Sequence, residues 1–242
     1  MKEASWHADV LGPVCVLDIE TAPDPVSLAM AGARGGSTEA AGSLHQITDA
    51  SILKATERSD RTWAEFSITS YSVSGSSEVE VLRALDRHLS QLGRAGGVLV
   101  SYNGYRHDMP VIRRRAARHM MFDVQGIFPD EDIRHLDLLR TASPSKDGGW
   151  GKLRHVAAGL GIPVAHQVAS RGIGTATPGI RKSQVDVTAT FVLLLFELAM
   201  RRRCADPVIL GWRALGDHIA QAGPYGEHLA PFRRHLLGTA PD

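Results

Sequence analysis

The stretch Val14 to Ile19, directly after Pro13, constrains the chain most: it is short, β-branched and apolar apart from Asp18, which is the pattern of a buried strand. It ends in Asp18-Ile19-Glu20-Thr21. The two-residue period of a strand puts Asp18 and Glu20 on one face. Any fold for this chain must bury the strand and give two carboxylates a place at its end.

The remaining elements follow from pattern and punctuation. From Asp24 to about Asp49 the sequence turns to Ala, Gly, Ser and Thr, most densely over Gly32 to Ser43, and reads as a flexible surface loop (24–49) without core residues. SILKATE and WAEFSITSYSV alternate as two strands, and the polar Glu57 to Arg61 forms the turn of a hairpin. Ser77 and Glu80 make an S-x-x-E capping box ahead of Leu82, Leu85, Leu89 and Leu92, an amphipathic helix ending before Gly93. Gly96-Gly97 opens the strand Val98 to Val100, which ends at Ser101-Tyr102-Asn103-Gly104, and a helix follows from about Asp108. Ile133 to Leu139 is a fifth strand, Leu153 to Leu160 a short helix closed by Gly161, and Lys182 to Arg203 a long, mostly buried helix with another after Pro207. This order predicts an α/β fold, a mixed five-stranded sheet flanked by helices. The expectation is one domain over 1–242, with its core at about 14–203 and a helical extension over 204–242.

Composition narrows the function. With 27 Lys plus Arg against 26 Asp plus Glu in 242 residues, the formal charge is +1, so a nucleic-acid site has to be a local patch. Cys15 and Cys204 lie far apart and fit reduced thiols. The N-terminus lacks the apolar region of a signal peptide, and the mostly apolar run Ala189 to Met200 contains Glu197 and is too short to span a bilayer. A cytoplasmic protein without a membrane is expected. No P-loop and no G-x-G-x-x-G after a strand points to a nucleotide cofactor.

The acids suggest metal chemistry. Two carboxylates a few ångströms apart repel by roughly 4 kcal/mol at an effective dielectric near 20, so a buried cluster needs cations to stay ionised. Hard oxygen ligands hold divalent ions, and a pair of such ions can activate water and stabilise both oxygens of a phosphodiester displacement. Each acid also has a plain reading. Asp18 and Glu20 can cap a strand, and Asp108 suits the start of a helix on dipole grounds. Asp186 precedes an apolar helix stretch, Val187 to Phe196, where a charge needs a partner.

Taken in order, VLDIETAPD, VLVSYNGYRHDMPVI, HLDLL and QVDVTATFVLLLFEL resemble the successive motifs of DEDD 3'-to-5' exonucleases, and are most similar to predicted exonucleases related to the proofreading domain of family B DNA polymerases. The resemblance spans about residues 14 to 200. It implies a ribonuclease H-like fold. It also implies a metal site in which Asp18 and Glu20 ligate, Asp108 completes the set and Asp186 holds the ion that activates water. The cofactors would be two Mg2+ or Mn2+ ions and the substrate the 3' end of single-stranded DNA or RNA. In this family a Tyr stands four residues before the last aspartate, or a His five before; here these are Lys182 and Arg181. Helical spacing puts Lys182 over the face of Asp186, where it either pairs with the acids, contacts the scissile phosphate or points to solvent. As a base it would need a lowered pKa, and neighbouring carboxylates push the other way. His107 replaces the family's Phe before the second-motif Asp, as a substitute base or a polar helix start.

Substrate contacts are expected from Thr21, Tyr102, Asn103, Gly104 and His107: an amide for a terminal sugar hydroxyl, a ring to stack a base. Asn103 and Tyr102 can equally be a turn former and a core residue. Arg113, Arg114, Arg115, Arg118 and His119 form the densest basic segment, a phosphate contact or a solvated face. The loop Ser145 to Lys152 either lines the strand channel or is plain surface. Three functions fit: an active exonuclease, a catalytically weakened nucleic-acid-binding module, and a ribonuclease H-like endonuclease.

Overall fold

The structure is a computed structural model that describes residues 12–33, 42–128, 133–141, 151–164 and 176–233. Most of the Gly32 to Ser43 stretch and the Gly148-Gly149-Trp150 loop lie outside these residues.

Five strands form one mixed sheet. β1 (Pro13–Pro23) pairs antiparallel with β2 (His45–Glu57), and β2 with β3 (Trp63–Ser72). On its other side β1 runs parallel to β4 (Val98–Ser101), and β4 parallel to β5 (Arg134–Asp137), giving the order β3-β2-β1-β4-β5. The helices are α1 (Pro25–Met30), α2 (Glu78–Arg94), α3 (Asp108–Arg118), α4 (Leu153–Gly159), α5 (Pro178–Arg202) and α6 (Asp206–Gln221). The capping box of α2 is formed as predicted, with Ser77 and Glu80 each bonding the other's backbone N–H.

Strand alternation splits the core in two. Val14 and Val16 face α5 and α6 with Leu53, Val98, Val100, Phe191, Leu195 and Trp212. Cys15, Leu17 and Ile19 face α2 and α3 with Ile52, Leu85, Leu89, Leu99 and Ile112. By the same parity Asp18 and Glu20 continue the Val14-Val16 row, on the side of α5. β4 stops at Ser101 soon after the Val16–Val100 pair, so β1 runs past its parallel neighbour, paired there with β2 alone, and carries both acids to that end of the sheet.

Several expectations need correction. The segment 24–49 is not a coreless loop: Asp24 caps α1, Leu28 and Ile47 are buried, and the strand β2 starts at His45. The fifth strand ends at Asp137 because that side chain accepts the N–H of Leu139 and curls the chain into a 3-10 turn. The apolar stretch read as too short for a bilayer lies within the 25-residue α5, which suffices by length and composition, though 67% of its apolar window is buried in the fold. Within the C-terminal extension the described residues form the helix α6 and a 3-10 stretch over Gly223–Arg233. Trp212, Leu215, Ile219 and Phe232 join the α5-side core, and at about 1.5–3 kcal/mol per buried large side chain that burial makes them part of it.

Candidate metal centre

Register and helix docking bring acids from distant parts of the chain together. Oxygens of Asp18, Glu20 and Asp186 all lie within 4.8 Å of one another, although the residues are half-buried and far apart in sequence. Asp186 reaches β1 because α5 is fixed in rotation by hydroxyl contacts: Ser183 Oγ lies 2.6 Å from Ser51 Oγ, and Gln184 Nε2 donates to Ser70 Oγ at 2.9 Å. The start of the helix is fixed as well. Thr177, its N-cap, accepts from the Ile180 N–H and donates to Asp49 Oδ1 at 2.8 Å.

Asp108 stands at the first turn of α3, with only 4% of its surface exposed. It is not one of the three acids within 4.8 Å, but it is near enough to Asp18 to raise that carboxyl. Two buried oxygens, Asp18 Oδ2 and Asp108 Oδ2, have no hydrogen-bond partner among the described residues. Burial, followed by Asp186, Asp108 and Glu20, pushes the Asp18 carboxyl well above the usual carboxylate range. Burial, with Asp137, Glu20 and Asp186, pushes Asp108 up to about 8. Burial also raises Glu20, against the lowering effect of Lys182. Unpaired, desolvated carboxylates with raised pKa are what a cation of hard-oxygen preference would relieve, so the donor set fits Mg2+ or Mn2+.

Lys182 does not point away to solvent. Its Nζ donates to Glu20 Oε1 at 2.5 Å and to Asp186 Oδ2 at 2.9 Å. Burial would lower its pKa, but Asp186, Asp18 and Glu20 more than reverse that and hold it above the ordinary lysine value.

The other predicted residues surround the acids in different roles. Asn103 adopts a left-handed φ of 72°, which Asn tolerates, and its N–H donates to Asp137 Oδ1. Gly104 is required by close packing: a Cβ there would fall 2.2 Å from Ser101 Oγ. The half-buried Tyr102 ring packs against the α5-side core and its hydroxyl donates to the Gly151 carbonyl, the core placement that was one of its two readings. Thr21 Oγ1 lies 2.9 Å from His45 Nδ1. His107 precedes α3, makes no side-chain cap bond, and is lowered by burial and by His45, Arg114 and Lys182.

Part of the basic segment is committed to the fold, while Arg113, Arg114 and Arg118 are exposed. Arg115 is buried and bonds Asp24 Oδ2 at 2.7 Å and Glu78 Oε2 at 2.5 Å, and His119 Nε2 lies 2.8 Å from that same Glu78 oxygen. Arg113 donates to the Ile127 carbonyl.

Three residues at the site escaped sequence reasoning. Buried Asp137 accepts the N–H groups of Asn103 at 2.7 Å and Tyr105 at 3.0 Å, holding the turn between β4 and α3. The HLDLL motif was the available signal. Asp49 sits opposite Glu20 in the β1–β2 register and anchors α5, and His45 partners Thr21; a composition reading hid both inside a supposed loop.

Residues 50–172 match the family described as the RNase_H superfamily. Solved structures that resemble the chain include E. coli exonuclease I in complex with a dT13 oligonucleotide, at 14% identity and a TM-score of 0.47, covering 90% of this chain and 46% of that one. Another is the family B DNA polymerase of the hyperthermophilic archaeon Pyrobaculum calidifontis, at 16% identity and a TM-score of 0.48, covering 90% of this chain and 27% of that one. The chain thus spans less than half the length of the exonuclease I it resembles. No curated protein sequence matches it.

Proposed function

The chain belongs to the RNase H superfamily, and on that premise we propose that it is a metal-dependent nuclease of the DEDD type, removing nucleotides from the 3' end of single-stranded DNA or RNA. One observation carries the reading. Asp18, Glu20 and Asp186 converge within 4.8 Å at the end of β1, while buried oxygens of Asp18 and of nearby Asp108 have no protein partner among the described residues. The 3' polarity follows the resemblance of the four sequence motifs.

Asp18, Glu20, Asp108 and Asp186 would hold the metal, which when bound supplies Lewis-acid stabilisation of the phosphate charge and lowers the pKa of the attacking water. Lys182 keeps its proton among these carboxylates, so it is a fixed positive charge facing the phosphate and not the proton acceptor. Asn103, whose backbone is fixed by Asp137, is assigned to the terminal sugar, and Thr21 with its partner His45 to the nucleotide beside Glu20.

The test uses one oligonucleotide labelled at either end, with Mg2+ or Mn2+ and with chelator. A 3' label is expected to leave at once as mononucleotide and a 5' label to shorten stepwise. Asp18→Ala should abolish both. Cutting of a circular strand would select an endonuclease, and hydrolysis in chelator would sink the metal reading. The ammonium lodged on Glu20 and Asp186 favours one rival, a binding module without turnover. Tight oligonucleotide binding with no product in Mn2+ would select it.

A further inference from the structure

The acids divide into two halves. Glu20 and Asp186 share the Lys182 ammonium, at 2.5 Å and 2.9 Å. The buried Oδ2 atoms of Asp18 and Asp108 receive no hydrogen bond from it or from any other described residue. An ion bridging Glu20 and Asp186 would need oxygens at roughly 2.0–2.2 Å in the space the ammonium holds, so ion and ammonium exclude each other there. Asp108 is 4% exposed, so its unpartnered oxygen lies in the protein interior. Lys182 is also set firmly in place. It rises one turn before Asp186 on a helix tied to the sheet by Ser183, Gln184 and Thr177.

We propose that Lys182 takes the place of one of the two metal ions expected for this site, so that the protein binds a single divalent cation, on the Asp18 and Asp108 side of the cluster. The inference rests on the nuclease reading for the identity of the ligands, and it revises that reading from two ions to one ion plus a tethered ammonium. A side chain in this role is permanently supplied, whereas a second ion is in equilibrium with the medium. Neutralisation of Glu20 and Asp186 therefore does not depend on metal concentration.

The experiment counts ions in the full chain without nucleic acid, by calorimetric titration with Mn2+ and by the loss of free Mn2+ electron-spin signal. One ion is expected for the unaltered protein and for Lys182→Arg. Two ions are expected for Lys182→Met, whose melting temperature should fall in chelator and recover with Mn2+ more than that of the unaltered protein. Lys182→Gln gives the same comparison should the Met variant not fold. Two ions in the unaltered protein, or one ion in both neutral variants, would overturn the inference and leave the nuclease reading standing. No bound Mn2+ in any form, with oligonucleotide hydrolysis also absent, would remove both.

Discussion

Replacing Asp108 by Asn is expected to stabilise the metal-free protein at mildly alkaline pH and to remove its response to divalent ions. Asp108 is buried, its Oδ2 has no partner among the described residues, and burial with neighbouring acids raises its carboxyl from 3.8 to about 8. The unfolded chain ionises this group near pH 4, while the folded protein resists ionisation until about pH 8. Because the folded value is raised, stability falls as pH climbs through that window, and the loss is complete above it. At about 1.4 kcal/mol per pH unit the full span corresponds to something on the order of 5 kcal/mol. An uncharged isostere escapes the loss. In chelator at pH 8, Asp108→Asn should melt about 10 °C or more above the parent, at roughly 2–4 °C per kcal/mol for a chain of this size. At pH 5 only about 1–1.5 kcal/mol of the advantage should remain. Addition of Mn2+ at about 100 times its dissociation constant should return about 2.7 kcal/mol to the parent and little to the variant. Thermal melts at the two pH values, with and without metal, decide the matter. A variant that melts below the parent in chelator at pH 8, or gains as much from Mn2+, refutes the idea that this acid is a strained ligand.

Arg115→Met takes from buried Asp24 and part-buried Glu78 the guanidinium that bonds both, leaving Arg118 3.5 Å from Asp24 and His119 2.8 Å from Glu78, and should cost up to about 3–5 kcal/mol in urea unfolding; a loss under about 1 kcal/mol would contradict the triad of Arg115, Asp24 and Glu78. Despite the raising effect of burial, hydrogen bonds from Arg115 hold both acids below their usual values, so their contribution is full at neutral pH and lost as pH drops below about 4; the variant should therefore show a shallower acid limb. Asp137→Ala leaves the N–H groups of Asn103, Tyr105 and Leu139 without their acceptor. The expected cost is about 1–3 kcal/mol per orphaned buried group at most, together with a fall in kcat, and unchanged turnover would deny the turn any positioning role. Gly179→Ala puts a Cβ 2.1 Å from Asp49 Oδ2 and should pry the start of α5 from β2. A melting loss of about 1–3 kcal/mol is expected, and an unchanged melting temperature would show that Asp49 does not anchor the helix.

Much of the fold was legible because its signals are local. The capping box of α2, the apolar runs of β1 and β4, and the hairpin of β2 and β3 depend on neighbours a few residues away, and the structure contains them close to where they were expected. The segment 24–49 was misread for the opposite reason. Asp24 is a buried cap only because Arg115, 91 residues further on, folds over it, and His45 to Asp49 are strand only because β1 offers them a partner. Composition carries no record of either contact.

The sequence by itself determined which acids were available and, through strand parity, that Asp18 and Glu20 share a face. It left open whether Lys182 meets them or points into solvent. That choice belongs to tertiary structure, since the ammonium meets Glu20 across 162 residues of chain only after α5 has docked on β2 and β3 through Ser51, Ser70 and Asp49. Side-chain periodicity is fixed by backbone geometry within one element, whereas the gap between two elements is fixed by the packing of both, and charge cancels only across such a gap.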